Sequence, residues 1–480
     1  MKSVILQLNP KYDHMRTKIT LIFWVCILVG CAKNADIESV NVPVEPAFQT
    51  VLPKISKDIS TLSADDAIKV ANLFSHGKVL TKSETLKDVR NVVPIKDASD
   101  RTLMYAVNYD DGYAIVSATK NYHPVLAVVD HGTYTGEKTG TGQDVLLNEY
   151  ILATEAAMDG EISVDKSVWS EYEEVPFEIP AQTKVSDDYN DVLNQYLEDW
   201  YMAGYNVYRL NQKPENMPDD LYSEFCDYAR DYDRPDHDYM QCSFIVENNV
   251  PYMVRYETLL QTSWGQNLGY NASVPNGLNL GCSTIAIGQI MKYLEHPDFV
   301  NWDLVSNELP LYGNVYMTEF LAELREKIGV DDNGNASLDQ VVNAISNHYH
   351  YNCVYDYSLT TSEYSRSAVK ASLAGGIPVY MRGTDNTTGI GHAWVCDGYY
   401  TTHPQTEFRL YVIPMGLVEI SELTNIYSTI VYPESFTIST YFHMNWGNFG
   451  NSNGYFYQDG VSSSIGNFNS ARMNLIISRL

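Results

Sequence analysis

The sequence predicts an α+β protein of two or three domains, and three observations carry that reading. From Gln261 onward, helix-period stretches come first and strand-like runs follow, a segregated layout rather than an alternating one. A separate small module upstream combines one amphipathic helix with a hairpin signal. Between the two, from Asp187 to about Asp238, the composition turns acidic and aromatic.

The chain has 480 residues, 45% of them hydrophobic and 19% charged, enough to bury substantial cores. Asp and Glu number 60 against 32 Lys and Arg, a net charge of −28. Such a surface repels phosphate, so no nucleic-acid partner is expected. Tyrosine reaches 37 against 14 phenylalanines, and those tyrosines read first as amphipathic surface and groove residues. The seven cysteines contain no CxxC pair, which excludes the usual zinc and thioredoxin-like motifs; no metal and no cofactor is expected. Cys226 and Cys242 could pair, but without regular spacing the plainer reading is free thiols.

Residues 1–31 have the form of an export signal. Lys11, Arg16 and Lys18 precede the apolar stretch Ile19 to Gly30, which is too short to span a bilayer comfortably. The end, Leu28-Val29-Gly30-Cys31, resembles a bacterial lipobox with Cys31 as the lipidated residue; the alternative is an ordinary signal peptide ending near a cysteine. Membrane contact would then be through a lipid anchor alone, in the bacterial cell envelope, or absent in an extracellular protein. Residues 32–61, with Pro43, Pro46 and Pro53, read as an extended tether.

Ser63 can cap a helix from Ala64 to Phe74, with Ala67, Val70, Ala71 and Phe74 on one face. Leu103 to Tyr109 and Tyr113 to Ala118 read as strands joined by Asp110-Asp111-Gly112, and Val125 to Val129 as a third. Helix-like runs recur around Val192 to Tyr208, and the polar cluster Arg230 to Asp238 reads as an exposed boundary. Beyond it, helices are predicted from Cys282 to before Pro297, and over Met317 to Ile328, Leu338 to Tyr349 and Arg366 to Leu373. Strands are predicted over Ile377 to Arg382, His392 to Tyr399, Phe408 to Ile413, Ser428 to Tyr432, Thr440 to Trp446 and Tyr455 to Tyr457. No internal repeat is present.

Chemistry concentrates around Cys282. It follows Gly281 at the start of an apolar helix, where unpaired N–H groups and the helix dipole favour a thiolate. A lone buried cysteine is more often structural, so the case rests on companions. His392 stands where a glycine-containing loop becomes a strand and could serve as base; alone it reads equally as a hydrogen-bonded structural histidine. Asn445 could orient that imidazole while Trp446 shields the bond; alone they read as a turn asparagine beside a core tryptophan. Gln266, a surface-loop amide on the plain reading, could donate to an oxyanion with the Cys282 N–H.

The order Gln266, Cys282, His392, Asn445-Trp446 is that of papain-like cysteine proteases. The surrounding residues, Gln261 to Gln266 with Tyr270-Asn271, Gly281 to Tyr293, Gly391 to Tyr399 and His443 to Gly447, resemble the streptopain family of bacterial secreted cysteine proteases. Tyr105 to Tyr109, Gly112 to Ala118 and Pro124 to Ala127 resemble that family's propeptide, which blocks the active site until removed. The resemblance implies a papain-like domain, a helical part plus an antiparallel β-sheet part, behind a small α+β propeptide domain. It implies Cys282 as nucleophile, His392 as base then acid, Gln266 as oxyanion donor, Asn445 and Trp446 as supports of His392, and Gly391 at the docked substrate backbone. The chain departs from the family at Asn448-Phe449-Gly450, where Trp-Gly-Gly is usual, and in a longer segment between Gly398 and Phe442. His443 is given no catalytic role. Asp397, five residues along the strand from His392 and so roughly 16 Å away, reads as a turn residue before Gly398.

The expected organisation is a signal peptide over 1–31, a tether over 32–61, a propeptide with an acidic linker over 62–240, and a cysteine peptidase domain over 241–480. The expected function is a secreted or lipid-anchored cysteine endopeptidase made as an inactive zymogen. Its partners would be protein or peptide substrates and its own propeptide. The alternatives are an inactive surface protein of the same fold that binds a peptide or host ligand, and an enzyme that uses the thiol for transfer.

Overall fold

Local rules account for the first elements. In the computed structural model, which describes residues 53–78, 88–173, 205–231, 243–248, 252–356, 362–384, 389–403, 405–412, 424–431, 439–458, 462–463, 466–467 and 473–479, helix α1 spans Ala64–Lys78. Ser63 and Asp66 cap it reciprocally: the Asp66 N–H donates to Ser63 Oγ at 3.2 Å and the Ser63 N–H to Asp66 Oδ2 at 3.1 Å. The expected export signal, Cys31 and the tether up to residue 52 lie outside the described residues. Strands β1 (Val89–Lys96), β2 (Thr102–Tyr109), β3 (Tyr113–Ser117) and β4 (Val125–Val129) follow as an antiparallel meander. β1 escaped the sequence reading because Pro94 sits inside it, which an edge strand tolerates.

Helix α2 (Gly142–Met158) was also not anticipated. It buries residues on nearly every side, including Gln143, Asp144 and Glu149, so no apolar stripe marks it in the sequence. Thr141 caps it by accepting the Gln143 N–H.

The remaining elements are β5 (Asn206–Arg209), α3 (Asp219–Asp231), β6 (Ser243–Asn248), β7 (Tyr252–Tyr256), α4 (Cys282–Leu294), α5 (Val315–Ile328), α6 (Leu338–Tyr349), β8 (Tyr351–Asp356), α7 (Ser362–Ala374), β9 (Val379–Thr384), β10 (Gly391–His403), β11 (Thr406–Val412), β12 (Thr424–Val431), β13 (Ser439–Asn445), β14 (Gly454–Tyr457) and β15 (Met473–Arg479). Tyr208, read as the end of a helix-like run, is in strand β5 instead.

Contacts group the chain into two units. The first takes Met1–Asp58, Ser167–Tyr252 and His403–Ile438. Its sheet runs β12-β11-β6-β5, and Leu221, Phe225 and Ala229 of α3 share a core with Leu210, Met217, Ile245, Phe408 and Leu410. Glu247 is buried there, accepting from Tyr208 Oη at 2.9 Å and Asn206 Nδ2 at 3.1 Å. The stretch read as an acidic linker supplies β5 and α3, the one read as an insertion supplies β11 and β12, and β6 lies just past the expected boundary at 240.

The second unit takes Ile59–Lys166, Met253–Thr402 and Ser439–Leu480. Its long sheet runs β1-β2-β3-β4-β14-β13-β10-β9-β15-β8, with β7 also pairing β10. The N-terminal strands therefore extend the C-terminal sheet, joined where β4 pairs antiparallel with β14, Ala127 opposite Phe456 and Val129 opposite Gly454. Tyrosines line this seam: Tyr441 donates to the Val125 carbonyl at 2.8 Å and Tyr150 to the Tyr457 carbonyl at 2.7 Å. Tyr441, Tyr455 and Tyr457 are buried, a correction to their reading as surface residues. Burial also holds His123, stacked on Tyr457, neutral, with its pKa down at about 3.

Asp397 needs a second correction. It lies within β10 at a bulge, where Cys396 pairs with Met444 and Gly398 with His443. Its buried carboxylate accepts the Leu260 N–H at 3.2 Å and bonds His443 Nδ1 at 2.6 Å. The other face of the imidazole reaches Asp130 of the N-terminal segment, Nε2 to Oδ2 3.3 Å. Burial opposes the charge on His443, yet Asp397 and Asp130 together raise its pKa to about 9. Tyr455 packs edge-on against the ring, and Arg255 lies over Tyr455.

A pH dependence follows from the sign of that shift. A pKa raised from about 6.5 to about 9 adds stability that is complete below pH 6.5 and is lost as pH rises through 9. The whole cluster is worth on the order of 3 kcal/mol, and Asp130, being half exposed, contributes the smaller part. The melting temperature of the full-length chain should fall between pH 6.5 and 9, and Asp130→Asn should flatten that fall. Parallel melting curves for the two proteins across this range would refute the Asp130 contribution.

Candidate active site

Cys282 is the first residue of α4, a helix buried on nearly all sides from Ser283 to Met291. Gly281 caps it with φ 85° and ψ 145°, and a β-carbon there would fall 2.7 Å from the Gly334 carbonyl oxygen. Only glycine meets both demands, so the residue before the thiol is fixed by backbone geometry. The thiol is half-buried, and burial pushes its pKa up; the backbone N–H groups of Ala393 and Ser283, and the positive charge of Arg382, pull it the other way. In this form the sulfur is a neutral thiol within reach of the N-terminal turn of its helix.

His392 is the second residue of β10 and half-buried. The residue after Cys282, Ser283, shares a 3.0 Å hydrogen bond with Tyr380, which pairs with Val395 of this strand, so the start of α4 lies against the sheet near the start of β10. β9 fixes the strand from the other side, with His392 opposite Gly383 and Ala393 opposite Arg382. Gly391, one residue earlier, is half-buried at the start of the strand.

Gln266 is drawn to the same place through its backbone. Its carbonyl accepts the Leu280 N–H at 3.0 Å, two residues before Cys282. The loop is anchored by Trp264, fully buried, whose Nε1 donates to the Ser306 carbonyl at 3.0 Å. Phe449, at the position where the sequence departs from the family pattern, covers this loop: its ring lies where a side chain on Gly265 would go, and its N–H donates to the Trp264 carbonyl at 3.0 Å.

Asn445 and Trp446 follow β13. Trp446 is buried, its Nε1 donates to the Ser452 carbonyl at 2.7 Å, and it packs on Trp394, two residues past His392, at 5.4 Å between ring centroids. Asn445 makes different bonds from those the sequence suggested. Its Nδ2 donates to the Thr262 carbonyl at 2.8 Å, and its Oδ1 accepts from Gln289 Nε2 at 3.3 Å and from the Gly447 N–H at 3.1 Å. The imidazole of His392 is not among these partners. Register gives the reason: Asn445 pairs with Val395, three residues along β10 from His392.

Gln289 was missed in the sequence. It lies two turns after Cys282, accepts the Thr262 hydroxyl at 2.9 Å and reaches Asn445, tying helix α4, the Trp264 loop and the end of β13 together. Its signal was available: a lone amide in an otherwise apolar helix has to find partners inside the core.

The N-terminal segment comes up to this site at Gly142. A β-carbon on Gly142 would lie 2.3 Å from the indole of Trp394. A cavity of about 420 Å³ lies elsewhere in that segment, lined by Leu62, Arg101, Tyr105, Thr119 and neighbours, and includes none of the residues around Cys282.

Comparison with known proteins bears on this geometry. Residues 300–456 match the peptidase C10 family, a span that contains His392, Asn445 and Trp446 and begins after Gln266 and Cys282. Residues 59–153 match the Spi protease inhibitor family and contain α1, β1 to β4 and the start of α2. Among solved structures, the chain is similar to the active wild-type interpain A cysteine protease of Prevotella intermedia, at 17% identity and a TM-score of 0.33, over 46% of this chain and 94% of that one. No curated protein matches. By these matches the chain joins a segment similar to the peptidase C10, or streptopain, family of cysteine peptidases over 300–456 to a Spi-type inhibitor segment over 59–153 in front of it, on a mixed α+β fold.

Proposed function

We propose that the chain is a bacterial cysteine endopeptidase, secreted or anchored through a lipid on Cys31, and kept inactive by its residues 62–240 until they are removed. The observation that carries this reading is the 3.0 Å hydrogen bond between Ser283 and Tyr380, which sets the start of the Cys282 helix against β9, the strand paired with the one that carries His392. Once the site is hydrated, His392 takes the Cys282 proton, and the thiolate attacks the substrate carbonyl, forming an S–C bond and moving the carbonyl electrons onto oxygen. The Cys282 N–H and the Gln266 amide hold that oxyanion. Collapse breaks the C–N bond as the His392 imidazolium protonates the leaving amine. Water, deprotonated by His392, then attacks the thioester and releases the thiolate. Trp446 supports this by excluding water from the His392 side of the sheet, and Asn445 acts through Gln289 and Thr262 on the relative position of helix and strand. The raised pKa of Cys282 fits a latent form.

Incubation of the full chain with reductant and a long unmodified polypeptide tests the reading. Internal cleavage, with new amino and carboxyl termini seen by mass spectrometry, is expected. Release of terminal residues only, or joining of the fragment to an added amine in place of hydrolysis, would overturn the endopeptidase assignment.

A further inference from the structure

We propose that Arg382 forms an anion-binding subsite beside Cys282, which selects peptide substrates carrying Asp or Glu close to the cleaved bond. This rests on the reading of Cys282 as the nucleophile.

Arg382 sits on β9 opposite Ala393, and residues paired across antiparallel strands share a face. Tyr380, two positions back and on the same face, shares a 3.0 Å hydrogen bond with Ser283, the residue after Cys282. The Tyr380–Arg382 face of the strand thus runs along the start of α4. The guanidinium turns toward Gly391: its Nη2 lies 3.7 Å from where a β-carbon on Gly391 would be. Its charge is near enough to act on both Cys282 and Tyr380.

The partners of this guanidinium are few. Of its five donors, one is used among the described residues, in a bond at the outer limit of length, Nη1 to the Ala336 carbonyl at 3.5 Å. No carboxylate pairs with it among the described residues. By contrast Arg90, Arg101, Arg230, Arg255 and Arg409 each lie by an Asp or Glu, in a chain where acids outnumber bases 60 to 32. A half-buried cation without an internal anion loses hydration for no internal return, and its planar fork fits a carboxylate in two parallel bonds. The net charge of −28 repels acidic peptides at a distance, but beyond about 8 Å that field is screened at physiological salt, so contact recognition decides.

The test uses the full chain, activated by reductant, as wild type, Arg382→Gln and Arg382→Glu, on a mixed peptide library with cut sites read by mass spectrometry. The wild type should show Asp and Glu enriched at one fixed position near the cut, with about a 10–100-fold advantage in kcat/KM for a Glu peptide over its Gln twin, the range of a charge-assisted hydrogen bond. Arg382→Gln should lose that ratio while still cutting the Gln peptide, and Arg382→Glu should favour Lys or Arg at the same position. Wild-type cleavage without acidic enrichment, or a ratio that survives Arg382→Gln, overturns the subsite alone. So does a loss on both peptides that leaves their ratio unchanged, which would mean that Arg382 acts on the thiol alone and not on the substrate. Absence of any cleavage by the wild type overturns the reading of Cys282, and this inference with it.

Discussion

Cys282→Ala should stay at full length under reductant, while the wild type loses an N-terminal fragment of roughly the size of residues 62–240. Activity on any peptide should fall by about 10⁴-fold or more, the scale seen when a nucleophile is removed from a machinery that works as a unit. The fold should survive, because the half-buried thiol fills little volume. Intact mass against time, with a melting curve for each protein, separates loss of chemistry from loss of structure. Processing of the Cys282→Ala chain at the wild-type rate, in the absence of any other protease, would remove Cys282 from the mechanism. Adding a trace of activated wild type then tells apart cleavage within one chain and between chains: the inert variant should be trimmed at the same bond if the site is reached from another molecule.

How much of this was legible in the sequence depends on how local its cause is. Helix α4 was predicted to begin at Cys282 and does, because a glycine, an apolar run and a downstream proline are all neighbours in the chain. The helix predicted over Leu338 to Tyr349 matches α6, opened by a capping box of Ser337 and Gln340. Where the cause lies across the fold, the sequence was silent. Asp397 reads as a turn residue until β13 is laid against β10 and a bulge aims its carboxylate at His443. Asn445 looks like a partner for His392 until register sets it opposite Val395 and gives its amide to Thr262 and Gln289. Strands β11 and β12 were legible near their places, over Phe408 to Ile413 and Ser428 to Tyr432, but not the sheet β12-β11-β6-β5, which joins them to strands from a distant stretch. The tyrosines misled for a related reason: an amphipathic side chain suits a surface, and equally a seam where its hydroxyl meets a backbone carbonyl.

Gly142→Leu should make the unprocessed chain leaky. The first residue of α2 abuts the Trp394 indole so closely that any β-carbon collides with it, at 2.3 Å. Forcing a side chain into a packed contact typically costs about 1–3 kcal/mol, which at 1.4 kcal/mol per decade raises the population of the displaced state about 5–100-fold. The helix itself has no reason to object, since Thr141 caps it and leucine is a good helix former. The cost therefore falls on the contact with Trp394, whose strand also carries His392. Processing in reductant should begin sooner by a comparable factor, and the full-length variant should cut a peptide that the intact wild type leaves alone. Gly160→Leu is the control: it strains the turn just past the far end of the same helix, at φ 75°, with no atom within 4 Å of the added carbon. If Gly160→Leu speeds processing as much as Gly142→Leu does, latency reflects the stability of the inhibitor segment as a whole. If only Gly142→Leu does so, the close fit of α2 on Trp394 is itself the restraint, and the four-strand extension of the sheet at β14 serves to hold that helix in register with it.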